Sequence, residues 1–92
     1  MRYDGKGARQ VRTPDGKGEG GRWDMRWDPV WIRIGTEWRV GVLRAWIRPA
    51  AGAPWLAQVE YAEPATFARW CRFCFVYDPV VIRPLNAAPP ED

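Results

Sequence analysis

Tryptophan and arginine alternate at every second position in three short stretches of the chain. The stretches contain Trp31 and Arg33; Arg44, Trp46 and Arg48; and Trp70 and Arg72. Residues at every second position of a β-strand leave the same face of the sheet. Each stretch would therefore place indole rings beside guanidinium groups, which stack on flat partners and bind phosphate or carboxylate. We expect either a recognition surface or a well-braced piece of sheet.

Residues for catalytic chemistry are scarce in this chain. It has no histidine and no serine, so the common pairs of nucleophile and base are missing. The remaining candidates show no recognisable catalytic spacing: Cys71, Cys74, Glu37, Glu60, Glu63 and Asp78. We expect a protein that is not an enzyme, with no catalytic residues and no cofactor.

Cys71 and Cys74 have the Cys-x-x-Cys spacing that invites a metal or redox interpretation. A closed zinc site needs four ligands, whereas this chain has two thiols and no histidine. In a strand, residues three apart point to opposite faces and lie about 10 Å apart, which is too far for a disulfide. We predict two structural cysteines and no metal site, with a site shared across a symmetric dimer as the alternative.

Length and composition indicate one small folded domain. The chain has 92 residues, a hydrophobic fraction of 47% and seven tryptophans. Residues 1–26 hold seven basic and four acidic residues and carry the net charge of +3, because the rest of the chain balances. Cysteines are few and no apolar run follows Met1. We therefore expect a cytoplasmic protein without a membrane segment.

A change in composition divides the chain into three parts. Glycine and charge dominate residues 1–26, so we predict a flexible basic arm there, with residues 1–22 buried too little to be ordered. Residues 27–85 are predicted to form a β domain and residues 86–92 a short tail. Short apolar runs rich in β-branched and aromatic residues predict five strands, at about 30–34, 37–48, 55–61, 68–77 and 80–83. Gly35-Thr36 is the predicted turn between the first two.

Alternation assigns the side chains of these strands to faces. On the first strand, Val30, Ile32 and Ile34 are expected to point inward because the opposite choice would bury Arg33. The third and fourth strands are expected to contribute a larger inward set: Trp55, Ala57, Val59, Tyr61, Cys71, Phe73 and Phe75.

Along the long strand, the set of positions that points inward must change from even to odd residue numbers. Its first half has an apparent inward row of Trp38, Val40 and Val42. Because this row would continue into Arg44, we predict a bulge or bend between Gly41 and Arg44. Beyond it we expect Leu43, Ala45 and Ile47 inside. The predicted outer face then contains Trp31, Arg33, Arg44, Trp46, Arg48, Trp70, Arg72 and Arg83.

Three segments resemble a known family. Residues 37–42 (EWRVGV), 59–61 (VEY) and 81–85 (VIRPL) are similar to the SH3-like small β-barrels, particularly the Tudor and Agenet group. The resemblance implies a five-stranded antiparallel barrel that binds peptides, modified side chains or nucleic acid. A Tudor-type aromatic cage would draw on Trp31, Tyr61 and Tyr77.

Two functional hypotheses remain open. The outer face could bind nucleic acid, with stacking from the rings, phosphate contacts from arginine and salt-sensitive attraction from the arm. Alternatively, the same face could bind a protein partner or a second copy, because Trp and Arg are enriched in interface hot spots. We favour the nucleic-acid hypothesis because the arm is basic and arginines cluster on the outer face. A third interpretation needs no ligand, since arginine stacked on indole also braces a sheet.

Overall fold

A computed structural model of the protein describes residues 7–16, 18–62 and 70–85. These residues form six β-strands and no helix: β1 (Gln10–Val11), β2 (Arg22–Ile34), β3 (Glu37–Arg48), β4 (Leu56–Ala62), β5 (Trp70–Val76) and β6 (Ile82–Pro84). The prediction of an all-β protein is confirmed. Nothing in the described ranges is a helix that could cross a membrane.

The strands form one antiparallel sheet in the order β1-β5-β4-β3-β2-β6. Within the described residues the sheet has a sixth strand and is not closed into a barrel, unlike the predicted five-stranded barrel. The stretch before β1 nevertheless contacts both sides of the sheet. The Ala8 amide donates to the Arg33 carbonyl of β2 at 2.7 Å, and the Val76 amide of β5 donates to the Arg9 carbonyl at 2.9 Å.

The predicted turn between the first two long strands is confirmed. Gly35 and Thr36 join β2 to β3, and Gly35 has a φ of 62°, a left-handed conformation that glycine adopts without strain. The strand before this turn begins earlier than predicted, at Arg22 rather than near residue 30. The turn keeps Arg33 opposite Trp38 and Trp31 opposite Val40.

Part of the predicted arm, residues 1–26, lies in strands of the sheet. Gln10 and Val11 pair with Phe75 and Cys74 of β5, and residues 22–26 belong to β2. Between these strands, the Gly18 amide donates to the Pro49 carbonyl at 2.6 Å. Backbone pairing with a distant strand outweighs the glycine-rich composition here. Residues 1–6 and 17 lie outside the described residues.

The buried side chains form two clusters on opposite faces of the sheet. The larger cluster defines the inner face: Val30, Ile32, Leu43, Trp46, Ala57, Val59, Tyr61, Phe75, Val81 and Ile82. The smaller cluster lies on the outer face and contains Ala45, Ile47, Leu56 and Cys74. Alternation along β4 separates the two, since Ala57 belongs to the inner cluster and Leu56 to the outer one.

The N-terminal segment covers the outer cluster. Val11 packs against it, and the Thr13 side chain is hydrogen-bonded to the Cys74 thiol. Trp23 and Val76 pack on the same cluster. A sheet face that would otherwise meet water is buried, because this segment crosses it. The cover also explains why Gln58, which β4 directs to the outer face, is buried.

The bulge in the long strand is present, close to its predicted position. The β3–β4 register skips one residue between Leu43 and Ala45, which leaves Arg44 as the extra residue. The row before the bulge is inverted, however: Trp38 is 37% exposed and Val40 55% exposed. Gly41 lies on the inner side instead, opposite Tyr61. A Cβ on Gly41 would lie 3.0 Å from the Val59 side chain and 2.7 Å from the Glu60 carbonyl oxygen.

The inward positions predicted for Leu43, Ala45 and Ile47 are only partly correct. Leu43 lies in the inner cluster as predicted, whereas Ala45 and Ile47 are buried on the outer face. Trp46, predicted to face outward, is fully buried in the inner cluster. Arg44 and Ala45 occupy the outer side in succession, so the residue after them turns inward.

Replacing Trp46 with alanine is expected to lower the free energy of unfolding by about 3–5 kcal/mol, because it empties a large core site. Replacing the exposed Trp31 with alanine should cost less than about 1 kcal/mol. Urea unfolding followed by circular dichroism measures both, and Trp46→Leu provides a milder second variant. Equal losses for Trp46 and Trp31 would contradict the inner-face position of Trp46.

Removing residues 1–16 is expected to uncover Cys74. Burial raises the pKa of the Cys74 thiol, and the Thr13 hydrogen bond offsets part of that increase. Because the thiolate is the reactive form, Cys74 should react slowly with thiol reagents in the full chain. In a Cys71→Ser background, truncation should increase the labelling rate of Cys74 at least about tenfold. This corresponds to a decrease of about 1.4 kcal/mol in the free energy of the local opening that exposes the thiol. Arg12→Ala, which removes an exposed side chain, is the control.

Candidate binding surface

The exposed part of the outer face carries most of the predicted site. Cross-strand pairing places Trp31 between Arg83 on β6 and Val40 on β3. It also places Arg33 opposite Trp38. Together with neighbouring side chains these form what we call the Trp/Arg surface: Trp27, Trp31, Arg33, Trp38, Val40, Arg44, Glu60, Trp70, Arg72 and Arg83.

A groove lies at one end of this surface. Its volume is about 360 Å³, and Trp31, Trp38 and Arg83 line it. The Arg83 guanidinium lies 4.9 Å from the centre of the Trp38 ring, within cation–π range. The groove therefore combines two flat apolar walls with one oriented cation.

An aromatic and ionic network holds the centre of the surface. The Arg44 guanidinium lies 4.1 Å from the Trp27 ring centre, and its Nη1 lies 3.6 Å from Glu60 Oε1. From β5, Arg72 donates to Glu60 Oε2 through Nε at 3.0 Å and Nη2 at 2.9 Å. Two arginines thus share one carboxylate, and this network of three side chains keeps a net charge of one positive unit.

Two predicted site residues are not on the Trp/Arg surface. Trp46 is inside the core, edge-on to Tyr77 with ring centres 5.0 Å apart. Arg48 lies 5.2 Å from the centre of the Trp55 ring, at the end of the inner face, where Arg22 also approaches that ring. The bulge at Arg44 separates the stretch 44–48 into two faces, so its alternation does not place all three residues together.

The sequence interpretation missed Trp27, Trp38 and Val40. Trp38 and Val40 were assigned to the core because aromatic and β-branched residues usually are buried. Gly41 was the signal against that choice, since a glycine in a strand interior marks a close approach of another backbone. Trp27 had no comparable signal: it lies in a second register irregularity, between Met25 and Asp28 of β2.

The cysteines and carboxylates do not converge on a metal site in the described part of the chain, where no group of three or more potential ligands lies together. Cys71 and Cys74 are free thiols. Cys74 belongs to the outer cluster, whereas Cys71 lies opposite Tyr61, an inner-face residue. Their placement on opposite faces follows the predicted alternation.

A double-mutant cycle on Trp27 and Arg44 is expected to give a coupling energy of about 0.5–1 kcal/mol, because the 4.1 Å contact is partly shielded from water. Trp27→Leu, Arg44→Met and the double variant are compared by urea unfolding. The matched cycle of Arg44 with Trp38, for which no contact is seen, should give less than about 0.5 kcal/mol. Equal coupling in both cycles would contradict the network.

Comparison of the chain with protein-family models, curated proteins and solved structures found no match.

Proposed function

We propose that the protein is a non-enzymatic binding module that holds single-stranded nucleic acid on the Trp/Arg surface. The observation that carries this proposal is the continuous sheet face with four exposed indole rings: Trp27, Trp31, Trp38 and Trp70. Bases stack on such rings with little regard to sequence, at about 1–3 kcal/mol per base. Single strands expose the base faces that this stacking needs.

The arginines on the surface support the same proposal. Arg83 beside Trp38 supplies a cation next to a stacking ring, as a phosphate contact adjacent to a base requires. The N-terminal segment crosses the other half of the outer face and carries Arg9 and Arg12, both exposed. The Arg12 guanidinium lies 3.8 Å from the Asp15 carboxylate, and both side chains are exposed. Aromatic and basic side chains therefore lie on one side of the sheet.

A protein partner is the second candidate, and the network around Glu60 favours it. Because Glu60 pairs with both Arg44 and Arg72, much of the local positive charge is already neutralised. A weakly charged face rich in Trp and Arg has the composition of an interface hot spot. The two candidates differ in their response to salt, since counterion release accompanies phosphate contacts.

Two further proposals concern family and compartment. The SH3-like relationship is supported by the bulged β3 and by residues 8–9, which contact both β2 and β5. The aromatic cage expected from Trp31, Tyr61 and Tyr77 does not form, because Trp31 lies on the outer face, whereas Tyr61 is buried in the inner cluster and Tyr77 packs on Trp46. A cytoplasmic location is supported by the two free thiols, since that compartment keeps thiols reduced.

Titration with a labelled oligothymidine at about 50 and about 200 mM salt tests the nucleic-acid proposal. Binding should quench tryptophan fluorescence. Trp38→Ala should weaken binding by about 1–3 kcal/mol without changing the salt slope, because it removes stacking alone. Arg83→Gln should reduce the slope by about 0.7, the contribution of one phosphate contact to a single strand.

Two variants serve as controls. Glu60→Gln should tighten binding and steepen the salt slope, because it releases Arg44 and Arg72 from their shared carboxylate. Pro54→Ala, an exposed change in the loop between β3 and β4, should leave binding unaltered. Absence of quenching at the lower salt concentration would contradict the nucleic-acid proposal and favour binding of a protein partner on this surface.

A further inference from the structure

One stretch of β2 has a strand neighbour on only one side in the described part of the chain. Residues 22–28 lie beside β3, whereas β6 pairs with β2 only at Val30, Trp31 and Ile32. The Leu85 amide donates to the Pro29 carbonyl at 3.3 Å, and this contact marks the end of the β6 side. Among the described residues, no second strand lies along this seven-residue edge, and unpaired edges of this kind are templates for association.

The sequence of this edge is complementary to itself. Residues 22–28 read Arg-Trp-Asp-Met-Arg-Trp-Asp. When the stretch is laid antiparallel on a second copy with Met25 opposite Met25, Arg22 faces Asp28 and Asp24 faces Arg26. The same register places Trp23 opposite Trp27. Four opposite-charge pairs and two indole pairs then form across the axis, and such pairs stabilise antiparallel strands.

The exposure of the central residues agrees with this register. Met25 is 62% exposed and Trp27 68% exposed, although both belong to a long strand. Arg26 and Trp27 lie in the register irregularity between Met25 and Asp28, where these two residues of β2 share a single residue of β3, Arg44, opposite them. Large apolar side chains on an open edge are what a strand partner would cover.

We propose that a second copy of this chain pairs with residues 22–28 of β2, antiparallel and isologous, with Met25 on the two-fold axis. The centre of the open edge and the centre of charge complementarity coincide at Met25. The pairing ends at residue 28, because Pro29 has no amide to donate and β6 occupies the edge beyond it. The proposal does not rest on nucleic-acid binding.

The geometry has a consequence for the Trp/Arg surface. An axis normal to the sheet brings the outer faces of both copies to the same side, as in any strand pairing that extends a sheet through its edge. The dimer would therefore present two Trp/Arg surfaces on one continuous sheet. A long ligand that reached both would gain affinity from the second contact without any new residue.

Charge reversal in the absence of any oligonucleotide tests the proposed dimer. The full chain should dimerise in sedimentation equilibrium between micromolar and millimolar concentration. Arg26→Asp places Asp opposite Asp24 twice per dimer and should raise the dissociation constant at least about tenfold. It leaves the Arg22–Asp24 pair, at 3.0 Å within one chain, in place. Arg12→Asp is the control for net charge and should leave the dimer unchanged.

A mixed-chain experiment separates a register effect from a folding effect. Asp24→Arg should also prevent self-pairing, since it places Arg opposite Arg26. When the Arg26→Asp and Asp24→Arg chains are mixed, every charge pair across the axis is again opposite, so a heterodimer should form. Two folded monomers that do not associate on mixing would overturn the proposed register.

Cross-linking reports the central contact directly. Antiparallel neighbours have Cα atoms about 4.5–5.5 Å apart, within the range of a disulfide. Met25→Cys should therefore give a covalent dimer under mild oxidation, whereas Val40→Cys, exposed on the Trp/Arg surface, should give little. If Met25→Cys stays monomeric at millimolar concentration, as it would if another part of the chain covered this edge, the proposal is wrong.

Discussion

A single extra residue in β3 determines how the rest of this sheet is used. Before Arg44, β3 turns Gly41 and Leu43 to the inner face and Trp38 and Val40 outward. After it, Trp46 enters the inner core, and Ala45 and Ile47 are buried on the opposite face. Without the bulge the inner row would continue into Ala45 and Ile47, and the bulky Trp46 would lie outside. The bulge lets one strand fill two apolar clusters and still keep Arg44 at the surface.

The second cluster explains why the N-terminal segment is ordered. A single curved sheet normally leaves one face to water, but here alternate residues of β3, β4 and β5 are apolar on both faces at one end. Some part of the chain must cover the outer cluster, and residues 11–13 do so through Val11 and Thr13. The contacts made by individual residues of the glycine-rich arm therefore matter more than its average composition.

Much of the fold was predictable from local pattern. The all-β class, the Gly35-Thr36 turn, the inward Val30 and Ile32 and the bulge all follow from propensity, turn chemistry and the cost of burying arginine. The faces of Trp38 and Trp46 could not be predicted. The first depends on which backbone approaches Gly41, and the second on the residue at which β3 bulges, Arg44. Nor could composition show that a two-residue strand, β1, pairs with residues far along the chain.

Most of the residues of the candidate site were also predicted from the sequence. Six of the eight residues expected on the outer face remain on the Trp/Arg surface, and the two others, Trp46 and Arg48, follow the bulge. Trp27 and Trp38 replace them. Alternation grouped the residues of each regular run correctly, but it assigned Trp38 and Val40 to the wrong face and failed where the register skips.

The arrangement of the arginines decides what kind of recognition this surface suits. Arg83 and Arg44 lie over indole rings, and Arg44 and Arg72 share Glu60, so these long side chains are held in place without a ligand. Side chains that are already positioned lose less conformational entropy on binding. Because the shared carboxylate removes part of the positive charge, attraction at long range is modest. The recognition that we propose would then depend on flat contact with the exposed rings more than on charge, which favours ligands with planar groups over rod-like polyanions such as duplex DNA.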